Sequence, residues 1–256
     1  MQPICVFDIE TRARPEAVAA LVEAMQGELD AITAPANWKD ETKIAAYVAE
    51  KRAAALAKMP AEAALDPDTA QIVAVAFRLY PHSPTRAFVV GSLDVADEAD
   101  LLTELWLALA EMQGRCAGFN IINFDLPMIQ RRSMTLGVTP RLVPQVRRYA
   151  TDPVCDLMEV YFNWGRLKYK SMKTVARLLG IPNPLAGVDR SQVAVMDEAA
   201  LLTYVANDVD LETSLWERMD GIYWPRQRPL TLDDRLLDNE TAWLNSNSLP
   251  NSKRNS

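Results

Sequence analysis

The 256-residue chain contains one histidine, three cysteines and no long apolar run, and each scarcity removes a class of protein. His82 lies in Pro81-His82-Ser83-Pro84, which reads as a surface turn between two strands. A site built on two histidines is therefore excluded, and nothing else supports a Ser-His-Asp triad. Cys5, Cys116 and Cys155 are odd in number, lack CxxC spacing and sit among apolar residues. They read as buried thiols in a reducing cytoplasm, the expected location. No apolar stretch approaches the ~18 residues of a membrane span, so no membrane association is expected. Met1 runs directly into Pro3-Ile4-Cys5-Val6-Phe7 without a basic stretch or small-residue cleavage site, so no secretory signal is expected. Chemistry is left to carboxylates, hydroxyls, lysines and arginines.

At this length folding buries roughly 70–75% of the unfolded chain's surface, and no disulfide or structural metal is needed. The net charge of −7 argues against gripping long nucleic acid by charge alone. That average conceals an asymmetry. Residues 131–190 hold eleven Lys/Arg against four Asp/Glu, a local balance of +7, which leaves −14 on the rest. A basic segment beside an acidic site suits a substrate that is itself a polyanion.

Pro3 to Asp8 is apolar and ends in acid, as a central strand does when it delivers a side chain to a sheet edge. Alanine-rich residues 15–30 and 40–58 read as two helices, with Pro60 and Pro67 punctuating the exit. Strands are expected over 71–80, 86–90, 115–120 and around 154–157, and helices over 97–112, 125–136, 171–179 and 197–219. Strands interleaved with helices point to an α/β domain with one mixed sheet. The last ~25 residues are rich in Asn, Ser and Asp, and 245–256 are expected to be disordered.

Three acidic signatures stand out. Asp8 and Glu10 are two apart on a strand read as ending there, so their side chains share a face and can reach one cation. A solvated strand end would look the same. Asp125 follows the strand near Asn120 and opens a helix, a position that equally suits a capping acid. Tyr204 and Asp208 are four apart on a helix and project from one face, which also fits a core tyrosine with an acid at its rim. Asp210 and Glu212 are further acids on that helix, read as lying at other angles.

In order and placement these signatures resemble the DEDD superfamily of 3′–5′ exonucleases, tyrosine subclass, and in particular the stand-alone group related to the proofreading domain of B-family DNA polymerases. The matching stretches are Phe7-Asp8-Ile9-Glu10-Thr11, Gly118 through Pro127, and Tyr204-Val205-Ala206-Asn207-Asp208. Asp156-Leu157-Met158 and Lys173 through Pro182 give weaker support. The resemblance implies a ribonuclease H-like α/β fold, a central mixed five-stranded sheet flanked by helices. It implies an exonuclease domain over 1–222, a helical insertion over about 15–66 between the first two strands, and a C-terminal extension over 223–256.

The resemblance also implies a mechanism. Asp8, Glu10, Asp125, Tyr204 and Asp208 would be the catalytic residues of a two-metal phosphodiester hydrolase. Asp8, Glu10 and Asp208 would hold one Mg²⁺ or Mn²⁺ ion, and Asp8 with Asp125 a second. Tyr204 would orient the attacking water. Ile9, Thr11, Asn120, Phe124 and Tyr204 would contact the terminal nucleotide. Single-stranded DNA 3′ ends are the expected substrate, with RNA as the alternative because no residue here is read as sensing a 2′-hydroxyl. A non-catalytic nucleic-acid-binding module of the same fold is the competing class, and a polymerase partner is left open. Tyr161, Phe162, Trp164 and Tyr169 interleave with Arg166, Lys168, Lys170 and Lys173, a strip suited to stacking bases and following phosphates, or equally to a charged surface over core aromatics.

Overall fold

The computed structural model describes residues 3–92 and 95–223, the side chain of Arg190 excepted. The chain divides into two compact units, Met1–Trp216 and Glu217–Ser256. The sheet and the site lie in the first. Of the second, only the turns of a helix ending at Tyr223 are described. The expected extension beyond Tyr223, with its disordered end, lies outside the described residues.

The sheet is built around β1 (Ile4–Ala13), in the order β3-β2-β1-β4-β5. The long β2 (Ala70–Tyr80) runs antiparallel to β1 along its whole length, and β3 (Arg86–Val89) pairs antiparallel with β2. On the other side β4 (Cys116–Gly118) is parallel to β1, and β5 (Val154–Asp156) is parallel to β4. This is the mixed five-stranded α/β sheet, flanked by helices, expected from the sequence.

Strand β1 does not end at its acids. Asp8 and Glu10 pair with Ala76 and Ala74 of β2, and the ladder continues to Ala13. The short β4 pairs only with Cys5 and Val6. Past Val6 the strand is therefore covered on one edge and open on the other. The expected strand end is real on the β4 side and absent on the β2 side.

Between β1 and β2 the helical insertion comprises α1 (Pro15–Ala24), α2 (Gln26–Asp30) and α3 (Glu41–Ala63). The single helix read over 15–30 is interrupted at Met25, whose amide turns back to the carbonyls of Leu21 and Glu23. Helix α3 is capped by Asp40, which accepts from the amides of Thr42 and Lys43, and it runs through Pro60 instead of stopping before it. Proline there forfeits one backbone donor near the helix end. The Ala64 amide still donates to the Pro60 carbonyl and completes the turn.

Alternation along β1 sends Cys5, Phe7 and Ile9 into the main core, with Val75 and Phe77 of β2. Helices α4 (Glu98–Glu111) and α5 (Asp125–Leu136) cover that face through Leu102, Leu105, Trp106, Leu126 and Ile129. Asp97 caps α4, and Gly137, at φ +71°, ends α5. The opposite face, carrying Asp8 and Glu10, meets α8 (Glu198–Tyr223). Asp210 on α8 pairs with Arg78 of β2 and accepts from the Thr85 hydroxyl.

Other connections are shorter than expected. The strand read as extending to Leu157 ends at Asp156, because the Asp156 carboxylate accepts from the Met158 and Glu159 amides and starts α6 (Leu157–Tyr161). Helix α7 (Met172–Leu178) is capped by Ser171, and a 3₁₀ turn over Arg190–Val195 precedes α8. His82 sits exposed in its turn, and the three cysteines are free and buried, as read from the sequence. No helix among the described residues is long and apolar enough to cross a membrane.

One buried ion pair joins three elements on the core face. Arg132 of α5 donates through Nε (2.8 Å) and Nη2 (2.7 Å) to the two oxygens of Glu98 in α4. Glu98 also accepts from the Ile72 amide of β2. Arg132 and Glu98 are 3% and 12% exposed, so removing one partner strands a charge away from water. Arg132→Met is expected to cost about 3–5 kcal/mol in equilibrium denaturation. A loss under about 1 kcal/mol would show that the pair behaves like a surface one.

Candidate functional site

The shortness of β4 and β5 makes the site. They stop at Gly118 and Asp156, and the chain that follows must turn away, leaving a crevice beyond their carboxyl ends beside the open edge of β1. Gly118 is required at this level. A Cβ there would strike the Ile121 side chain and lie 2.8 Å from the Phe7 carbonyl oxygen.

The turn from β4 to α5 is held by Asp156. This wholly buried carboxylate accepts from four amides: Asn120 (3.0 Å), Ile122 (3.1 Å), Met158 (3.0 Å) and Glu159 (3.2 Å). Asn120 can turn sharply at φ +70°, a conformation asparagine tolerates better than most residues. The turn delivers Asn120, Phe124 and Asp125 to one cleft.

That cleft has a volume of about 350 Å³, and Asp8, Ile9, Glu10, Asn120, Phe124, Asp125, Tyr204 and Asp208 all line it. Carboxylate oxygens of Asp8, Glu10 and Asp208 lie within 4.8 Å of one another. Three hard oxygen donors at that spacing fit a divalent cation of the Mg²⁺ or Mn²⁺ kind. Asp125 stands apart from this trio. It does not cap α5, since Phe124 occupies the cap position without a side-chain bond. Instead Asp125 Oδ1 accepts from the Ile9 amide at 3.3 Å, continuing the hydrogen bonding of β1 past the end of β4.

The remaining expected contacts divide. Ile9 offers the cleft its backbone, its side chain being buried in the core. Thr11 is not in the cleft. After a register shift between Glu10 and Thr11, its hydroxyl donates to the Ala64 carbonyl at 2.6 Å and it lines a neighbouring cavity.

Tyr204, 3% exposed, is gripped by Lys173, whose ammonium donates to the phenol oxygen at 3.2 Å and lies 4.6 Å from the ring centroid. The Val188 carbonyl accepts from the same ammonium at 2.7 Å. Lys173 thus belongs to the cleft wall, where the sequence placed it in a basic strip and at the start of a weakly matching stretch but not in the site. Asp189 lines the cleft too, and its bonds from Ser191 hold its carboxyl below the usual range.

Glu212 is the acid that reading by angle misplaced. It is 1% exposed and its Oε1 accepts from the Phe119 amide at 2.7 Å, while no partner for Oε2 occurs among the described residues. The series 204, 208, 212 steps by four and follows one helix face, the signal by which it could have been found. Burial, and then the charges of Glu212, Asp125, Glu10 and Asp208, push the Asp8 carboxyl well up. Burial and then Asp125 do the same to Glu212, against the Phe119 amide.

A family model described as "predicted 3′–5′ exonuclease related to the exonuclease domain of PolB" matches residues 65–210, and the chain belongs to that family. The matched span contains Asp125, Tyr204 and Asp208, while Asp8 and Glu10 precede it. Among solved structures, the family B DNA polymerase of the hyperthermophilic archaeon Pyrobaculum calidifontis is similar at 18% identity and a TM-score of 0.49, over 86% of this chain and 24% of that one. The chain thus spans about a quarter of that polymerase's length. No curated protein matches.

The raised carboxyls set a pH dependence. Between the ordinary carboxyl values and the raised ones, the native state binds more protons than the unfolded state, so stability falls as pH rises. A cation among the carboxylates opposes this. The gain in melting temperature on adding Mn²⁺ to chelator-treated protein is expected to grow from pH 5 to pH 8, and Glu212→Gln should flatten the metal-free slope. Melting curves indifferent to Mn²⁺ and chelator at both pH values would exclude a metal centre here.

Proposed function

We propose that the protein is a divalent-metal-dependent 3′–5′ exonuclease of the tyrosine subclass, removing nucleotides from the 3′ end of single-stranded DNA. The observation that carries this reading is the convergence of Asp8, Glu10 and Asp208 within 4.8 Å in a cleft that Tyr204 and Asp125 also line. The family description supports the reaction class, and its reference to PolB favours DNA over RNA. Three free, buried thiols fit the reducing cytoplasm as the place of action.

Asp8, Glu10 and Asp208 would hold one Mg²⁺ or Mn²⁺ and Asp8 with Asp125 a second, together supplying an activated water and neutralisation of the leaving 3′-oxygen. The chain's own groups do the rest. Tyr204, with Lys173 donating to its oxygen, can present its proton to a water and so orient it toward the phosphorus. The Lys173 ammonium also places positive charge beside the scissile phosphate. Asn120 and Phe124, on the turn anchored by Asp156, would position the terminal nucleotide, with Phe124 against its base.

The reading is tested by incubating 5′-labelled DNA and RNA oligomers separately with protein and Mg²⁺ or Mn²⁺. A ladder shortening from the 3′ end is expected on DNA, with circular single strands resistant. Asp8→Ala should abolish it, and Tyr204→Phe should lower kcat by roughly a hundredfold. Cutting of the circles, or full activity of Asp8→Ala, would refute the assignment.

A further inference from the structure

Behind one wall of the cleft lies a second cavity of about 380 Å³, bounded by Arg147, Arg148, Tyr149, Trp164, Tyr169 and Glu159. Three short segments form the shared wall, each sending neighbouring residues to opposite sides. Phe124, Met158 and Lys170 face the catalytic cleft, whereas Asn123, Glu159 and Tyr169 face the second cavity. A strand leaving the cleft across this wall passes directly into it.

The lining has the chemistry of a nucleotide site. The rings of Tyr149 and Trp164 meet at 5.4 Å and 80°, and the Arg148 guanidinium lies 5.1 Å from the Tyr149 centroid. Tyr149 is 63% exposed, and both arginines are exposed. Glu159 forms a fixed floor, accepting from Asn123 Nδ2 (3.2 Å) and from the Tyr169 hydroxyl (2.8 Å). Tyr149 and Trp164 also both hold positive φ, +63° and +55°, a conformation that bulky residues rarely adopt. Such strain concentrates at binding sites, where the surrounding structure holds it.

We infer that this cavity takes a nucleotide of the single strand just 5′ of the terminal one, its base against the Tyr149–Trp164 pair and its phosphate between Arg147 and Arg148. Aromatic faces with arginines bind single strands without demanding a sequence, as repeated removal of terminal nucleotides requires. The assignment rests on the exonuclease reading for the strand's direction, but not for its chemistry.

Binding separates the two. Fluorescence anisotropy with Ca²⁺ in place of the catalytic ion would compare a long 5′-labelled single-stranded DNA with a labelled mononucleotide, which fills only the terminal position. Tyr149→Ala/Trp164→Ala should weaken binding of the long strand at least about fivefold and leave the mononucleotide unchanged. Arg147→Glu/Arg148→Glu, confined to exposed side chains, should do the same and keeps the test valid if the aromatic variant fails to fold. In cleavage, both should raise KM and spare kcat. The proposal is overturned if the wild type does not bind the long strand, if the folded variants bind it as the wild type does, or if mononucleotide binding falls equally. A wild type that binds but never shortens the strand would sink the exonuclease reading alone.

Discussion

The structure depends on holding several carboxylates together where water is scarce. Asp8, Glu10, Asp125, Asp208 and Glu212 come from a central strand, a helix start and a helix face, and burial together with neighbouring carboxylates raises the proton affinity of Asp8 and Glu212. Nothing in packing alone favours this. Burying one unpaired charge is costly, and gathering several compounds the cost through repulsion. Such an arrangement persists when a cation offsets it or when the rest of the fold over-determines it. Here most of the acids ride on a strand paired with β2 along its whole length and on a long helix, elements whose backbone bonding rests mainly on partners outside the site.

The unequal lengths of the strands turn that charge into a usable site. Strand β2 follows β1 to Ala13, keeping the acid-bearing segment extended and rigid, while β4 stops after pairing with Val6. The open edge would leave the Ile9 amide unsatisfied if Asp125 did not accept from it. A hydrogen bond that ends a sheet therefore also fixes the position of an acid lining the cleft. Asp156 acts on the other border of the crevice. Its four amide partners hold the turn carrying Asn120 and Phe124, so these cleft-lining residues inherit the rigidity of β5.

The sequence revealed periodicity well and termination poorly. The order of elements and the sharing of one face by Asp8 and Glu10, and by Tyr204 and Asp208, follow from strand and helix periods, which are local properties. How far β1 extends is decided by β2, some sixty residues away, and no local pattern reports it. Thr11 shows the consequence: the family resemblance placed it against the terminal nucleotide, but past a register shift its hydroxyl donates to the Ala64 carbonyl instead. Glu212 illustrates a different failure. Its spacing from Asp208 was legible, yet the neighbouring Asp210 competes with it, and only burial separates the inward acid from the one paired with Arg78. Asp156 resembled a strand residue because its role, collecting amides from two turns, exists only once both turns are folded.

The charge asymmetry of the sequence acquires a spatial meaning in the same way. A net charge of −7 should repel a polyanion, and long-range attraction cannot be what brings one to this protein. The acids that matter are turned inward, where a cation can neutralise them. Four of the cations of residues 131–190 line this region: Lys170 and Lys173 the cleft, Arg147 and Arg148 the cavity behind it. A strand approaching this surface meets those cations at short range, where salt screens little. On the proposed exonuclease reading, short-range order and not net charge would let an acidic protein hold an acidic polymer, with the grip beside the carboxylates and not on them.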